Sequence, residues 1–260
     1  MSESRHLQYI KKLRRKKRLI FLIQVSICIL FLIAWELAAK LCVIDSFIYS
    51  SPSRILKTTI SMLKDGSLLY HMGVTLSETI FSFLLITILG ILFATLLWLI
   101  PFLSDVLQPY LVILNSLPKS ALAPLLIVWL GNNMRTIIVA AVSVAVFGTI
   151  LNLYTSFSGV DKEKITLIYT LGGNRLDVLT RVILPGNIPV ILSSMKVNIG
   201  LSLVGVIIGE FLAANAGLGY LIIYGSQVFQ LDMVIMSIVL LCIFAMLFYR
   251  LIGLLEKHYN

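Results

Sequence analysis

The sequence predicts an all-α integral membrane protein with six transmembrane helices, and three observations lead there. Apolar residues make up 59% of the 260 positions and charged residues 13%, about half the roughly 25% usual in soluble domains. Charge-free runs of about 20 residues, enough for a helix to cross the hydrocarbon core, recur along the chain. The net charge of +9 is concentrated in Arg5, Lys11, Lys12, Arg14, Arg15, Lys16, Lys17 and Arg18, just before the first such run. Beside a span, this basic tail reads as a cytoplasmic topology signal rather than a nucleic-acid arm, so no nucleic-acid partner is expected.

Residues 1–18 form that tail and 19–40 the first transmembrane helix. Its charge-free core, Leu19 to Trp35, is longer than a signal-peptide core, and no small-residue cleavage site follows, which predicts an uncleaved anchor. Trp35 and Glu36 suit an outer interface. Residues 41–69 read as an outer loop, where Arg54, Lys57 and Lys64 face Asp45 and Asp65. Residues 70–255 form a continuous block, with helices expected at 79–100, 106–131, 136–157, 187–209 and 233–250. Phe211 to Leu231 is charge-free and long enough to span, but Asn215, Gly217, Gly219, Gly225, Ser226, Gln227 and Gln230 mark it as a re-entrant or outer-face connection. Six crossings put both termini in the cytoplasm and leave residues 158–186 there too, in agreement with Lys162, Lys164, Arg175 and Arg181. A seventh would put the carboxyl end outside.

Catalysis by the chain itself is not expected. Cys28, Cys42 and Cys242 are scattered, and His6, His71 and His258 lie in the tail, an outer loop and the carboxyl end, so neither set has metal-ligand spacing. No Gly-rich loop ending in Lys and Ser or Thr is present, and the chain is expected to bind no nucleotide or other cofactor.

The stretch Asp161 to Pro185 is the most informative, being polar and amphipathic inside an apolar protein. Ile165, Ile168 and Tyr169 recur at helical spacing before the Gly172, Gly173 pair, and Leu176, Leu179 and Val182 after it. That pattern predicts helix, sharp turn, helix. Glycine takes the left-handed backbone that stops the first helix, Asn174 with Asp177 caps the second, and Pro185 resists continuation.

Within the spans, Glu210 interrupts an apolar run, where a charge costs about 2.5–3.5 kcal/mol on insertion scales. It fits a pathway residue, a gate latched to the Asn215 to Gly219 turn, or a helix-end carboxylate reaching water. Lys119 follows Pro118, which frees backbone groups; its amine fits either a site for anions or a side chain snorkelling to an interface. Asn115, Ser116 and Asn198 are polar positions that suit solute contact or interhelical hydrogen bonds. Lys196 is near enough to a membrane face to snorkel.

Gly172, Val182, Leu184 and Pro185 fall at the intervals of a cytoplasmic-loop pattern, and on these residues the chain resembles the membrane subunit of binding-protein-dependent ABC importers, of the type I fold and the nitrate, sulfonate and taurine class. LPKSALAPLLIVWLG from Leu117 to Gly131 and GEFLAANAGLGYLI from Gly209 to Ile222 are similar to the same class. Where the family's pattern opens with glutamate and two alanines, this chain has Thr166, Leu167 and Ile168. The resemblance implies an ATPase-coupling loop carried by Ile168, Leu171, Gly172, Gly173, Arg175, Val182, Leu184 and Pro185. It also implies separate cytoplasmic ATPase subunits holding ATP and Mg, an extracytoplasmic solute-binding protein, and a second permease copy, as a homodimer. The implied solute is a small anionic or zwitterionic nutrient of sulfonate, taurine or nitrate type, or alternatively a vitamin precursor, with Asn115, Lys119, Asn198, Glu210 and Asn215 along the pathway or gate. An ion-gradient-driven transporter would need paired buried charges in repeated halves, and an intramembrane enzyme a Ser and His pair, two Asp residues or a metal cluster. The sequence offers neither set.

Overall fold

A computed structural model describes residues 2–259, with side chains from Arg15 onward except those of 17, 255 and 257–259. His6, His258 and the tail cations up to Arg14, together with Lys17, therefore lie outside the described side chains. Among the described residues all regular structure is helical.

Helix α1 (Ser2–Lys40) is almost wholly exposed where it is apolar, and packs on two short helices, α2 (Ser46–Tyr49) and α3 (Pro52–Lys64). The segment read as a loop is thus largely helical. Ser51 caps α3 by accepting from the Arg54 N–H, and Pro52 occupies its first turn, where a missing N–H costs nothing. Ile55 and Met62 turn into the core. Arg54 donates from Nε (3.0 Å) and Nη2 (2.8 Å) to Oδ2 of Asp232, and the Ser50 hydroxyl donates to Oδ1 (2.6 Å). This clip ties the α3 segment to the last helix.

Helix α4 (Ser67–Leu99) starts twelve residues before the expected 79, because His71, Ser77 and Glu78 lie inside the helix rather than in a loop. The expected helix at 106–131 is two helices, α5 (Pro101–Ser116) and α6 (Lys119–Leu130), bent by 96°. Leu117 is extended, as a residue before proline prefers, and Pro118 cannot donate the next helical hydrogen bond. Among the described residues five helices are long and apolar enough to cross a membrane, or six spans if this bent pair counts as one.

The centre is built from α4, α7 (Met134–Ser158) and α11 (Ile188–Ala213), which pack extensively on one another. Small residues allow it: a Cβ on Gly205 of α11 would lie 2.6 Å from the Ala141 Cα of α7, so the two backbones touch. Between hydrocarbon-facing helices such close approach, rather than hydrophobic burial, supplies the attraction. Two ends result. At one, α4 and α7 finish beside α8 (Lys162–Thr170), α9 (Arg175–Val178), a π-helical turn (Leu179–Ile183) and α10 (Leu184–Gly186); at the other, α11 ends beside the start of α4 and α12 (Leu218–Gln227). Helix α13 (Leu231–Tyr259) closes the bundle against α11 and α12.

Candidate functional site

The predicted elbow is present. Asp161 caps α8, and Gly172 takes φ +83°, letting its N–H donate to the Tyr169 carbonyl (3.0 Å) and that of Gly173 to Ile168 (2.9 Å). Asn174 and Asp177 form a reciprocal capping box: the Asn174 side chain accepts from the Leu176 and Asp177 N–H groups, and Asp177 accepts from the Asn174 N–H. Two carbonyls at the end of α8 and three N–H groups at the start of α9 thus find partners.

The chain continues through Pro185 instead of stopping there. The π turn widens the ladder where the proline ring would meet the carbonyl one turn back, so Pro185 sits in the first turn of α10. The buried face also differs from the expected one. Val178, Leu179 and Ile183 pack on Ala94, Leu153 and Phe157 at the ends of α4 and α7, while Tyr169 and Leu176 are exposed. Ile168, Gly173, Val182 and Leu184 are half-buried, and Gly172, Arg175 and Pro185 are exposed. Arg175 donates to the Trp98 carbonyl (2.8 Å) and lies 5.3 Å from that ring's centroid, which fastens the elbow to the end of α4. Leu167, Leu171 and Leu176 project outward, Leu171 being 75% exposed. The elbow is a stiff base carrying an uncovered apolar knob.

At the opposite end Glu210, 1% exposed, accepts from the Thr75 hydroxyl (2.6 Å) and the Gly219 N–H (2.5 Å). The Thr75 oxygen in turn accepts from the Leu218 N–H (2.8 Å), and His71 Nδ1 from the Gly217 N–H (3.0 Å). Gly217 has φ +115° and its missing Cβ would overlap the Glu210 carboxyl. Glu210 is therefore latched to the turn before α12. Glu78, 2% exposed, brings a second carboxyl against it. Sequence reading missed Glu78 because the apolar run was counted from 79, which left it outside a span. Asn215 is exposed and shares the lining of a 280 Å³ cavity with Glu78, Tyr70 and Asn132.

Midway between the ends lies a groove of about 290 Å³ lined by α5, α7 and α11, including Asn115, Thr149, Asn152, Ser193, Ser194 and Asn198. The five predicted pathway residues thus separate: Asn115 and Asn198 meet in the groove, Glu210 and Asn215 lie at the latch. Lys119 starts α6; its ammonium donates to the Leu114 carbonyl and lies 5.4 Å from the Phe147 centroid, in neither site. Ser116 turns back on the Val112 carbonyl (2.9 Å). Asn152 and Ser194 were missed, yet the spacings Thr149, Asn152 and Ser194, Asn198 put each pair on one helical face. Lys196 pairs with Glu256 of α13 instead of snorkelling alone. Among the described residues no three His, Cys, Asp or Glu side chains converge as a metal site.

Residues 86–260 match the family model of the binding-protein-dependent transport system inner membrane component, and the chain belongs to that family. It is 27% identical over 192 residues to the formylaminopyrimidine transport permease protein ThiX of Halalkalibacterium halodurans, covering 74% of this chain and 76% of that protein. The taurine transport system permease protein TauC of Escherichia coli is 24% identical over 222 residues, 83% of this chain and 80% of TauC. In fold, the chain matches a subunit of the MetNI methionine ABC transporter with a TM-score of 0.64 and 18% identity, over 72% of this chain and 93% of that one.

Proposed function

We propose that this permease is driven by separate ATPase subunits that hold ATP and Mg and seat against the elbow. The elbow end faces the cytoplasm with both termini, and the latch end faces outward to receive a solute-binding protein. Two copies of the chain pair as a homodimer around a shared pathway. The observation that carries this reading is the elbow: exposed Leu167, Leu171 and Leu176 on a base locked to α4 and α7 by Val178, Ile183 and Arg175. A push on the knob is delivered to two central helices, as a rigid-body transition requires. The missing glutamate at Thr166 leaves the contact with the ATPase mainly apolar.

The solute is a small organic nutrient, of the size of the taurine or formylaminopyrimidine named for two relatives. An anionic cargo would rely on Lys119, whose ammonium is engaged by the Leu114 carbonyl and the Phe147 face. Purification of the permease with its ATPase tests the coupling: the wild type retains the ATPase and Gly172→Pro, which cannot adopt the left-handed turn, loses it. Retention by Gly172→Pro would refute the assignment.

A further inference from the structure

We propose that the groove between α5, α7 and α11 is a solute subsite for an uncharged molecule rich in hydrogen-bonding groups, such as a carboxamide or an aminated heterocycle. This deepens the importer reading and rests on it.

The groove sits near the middle of its helices, with Thr149 sixteenth of 25 residues in α7 and Asn198 eleventh of 26 in α11. Its rim is exposed at Asn115, Asn152 and Ser193, while Thr149, Ser194 and Asn198 form a buried floor. Lipid tails cannot satisfy three polar groups at that depth, so the face lines an aqueous path instead of the bilayer.

The floor is built with one donor left over. The Thr149 hydroxyl lies 2.8 Å from both the Ala145 carbonyl and Asn198 Oδ1, so its single proton serves either acceptor, and Asn152 Nδ2 donates to Ser194 Oγ (2.9 Å). Asn198 is 3% exposed and its Nδ2 has no partner. An unpaired buried donor is a cost that an acceptor on a bound molecule removes. Asn115 and the Asn152 carbonyl oxygen on the rim add both donor and acceptor capacity.

Charge selects the class. The lining contains no ionisable residue. Of the cations on adjoining elements, Lys119 is engaged by the Leu114 carbonyl and Lys196 by Glu256, 5.6 Å from the Tyr249 centroid, while Arg135 sits in the first turn of α7, fourteen residues before Thr149. A bare sulfonate or carboxylate there would lack a counter-ion, whereas an amide or ring nitrogen matches the donors and acceptors present. A volume of 290 Å³ falls at the small end of ligand sites, about 300–1,000 Å³.

The test uses the assembled importer in liposomes, with Cys28, Cys42 and Cys242 replaced by Ser and Ser193→Cys as the single thiol. A water-soluble maleimide is expected to label Ser193→Cys. Nicotinamide or 4-aminopyrimidine is expected to slow labelling about tenfold when present at about ten times its Kd, and ethanesulfonate and taurine to leave the rate unchanged. Adding Asn198→Leu removes the protection. Failure to label, protection by neither neutral probe, or equal protection by ethanesulfonate or taurine would overturn the proposal. Retention of the ATPase on the same preparation reads the importer assignment separately, so a negative result with ATPase bound condemns the groove alone.

Discussion

Replacing Gly172 with alanine isolates the energetic basis of the elbow. A Cβ at this position would meet no atom within 4 Å, so the substitution introduces no clash with a neighbour. What remains is the backbone at φ +83°, where an L-residue with a Cβ costs about 1–2 kcal/mol. That raises the population of the opened turn about 5- to 30-fold. Asparagine tolerates the left-handed region better than alanine, so Gly172→Asn recovers much of the loss. Hydrogen exchange on the purified permease reads the opening directly through the Gly173 N–H, which donates to the Ile168 carbonyl. Exchange is expected to be slowest in the wild type, intermediate in Gly172→Asn and fastest in Gly172→Ala. If Gly172→Ala exchanges as slowly as the wild type, the elbow does not depend on its left-handed turn and the reasoning fails.

Arg175→Ala removes a charge-assisted bond and a ring contact from an exposed site; it is expected to cost about 1 kcal/mol, seen as faster exchange across α9 with α4 unaffected. Thr75→Val orphans both Glu210 Oε1 and the Leu218 N–H, about 1–3 kcal/mol for each buried group, and should lower the thermal midpoint in detergent more than Thr59→Val, whose hydroxyl bonds its own helix. Gly205→Leu forces α7 from α11 and is expected to abolish folded permease on size-exclusion chromatography, whereas Gly200→Leu, with open space around it, leaves the elution volume unchanged. Arg54→Met breaks a partly exposed pair with Asp232, worth at most about 1 kcal/mol, and should speed proteolysis within residues 41–64 without lowering expression.

The elbow was legible because its instructions are local: a glycine pair, an Asn and Asp three apart, and apolar spacing on either side. Its buried face was not: a π turn from Leu179 to Ile183 shifts the register and brings Ile183 inward in place of Val182, and before that turn Val178 rather than Leu176 meets the ends of α4 and α7. The break in the third apolar run was signalled by Pro118, but composition alone counted one span where two helices meet at 96°. Glu210 was conspicuous as a charge among apolar residues, whereas its neighbour Glu78 was hidden by a span boundary drawn twelve residues too late. The groove required tertiary structure: Asn115, Asn152 and Asn198 lie on three helices, and nothing in linear order says that they meet.

Leu171→Cys, on the most exposed part of the elbow, gives the most direct measurement of the central claim. With a membrane-impermeant maleimide, this thiol should react in inverted vesicles stripped of ATPase, become shielded when the ATPase is added back, and stay unreactive in intact cells. Labelling from outside intact cells, or equal labelling with and without bound ATPase, would contradict the claim that the elbow is the handle by which a separate ATPase moves the membrane helices.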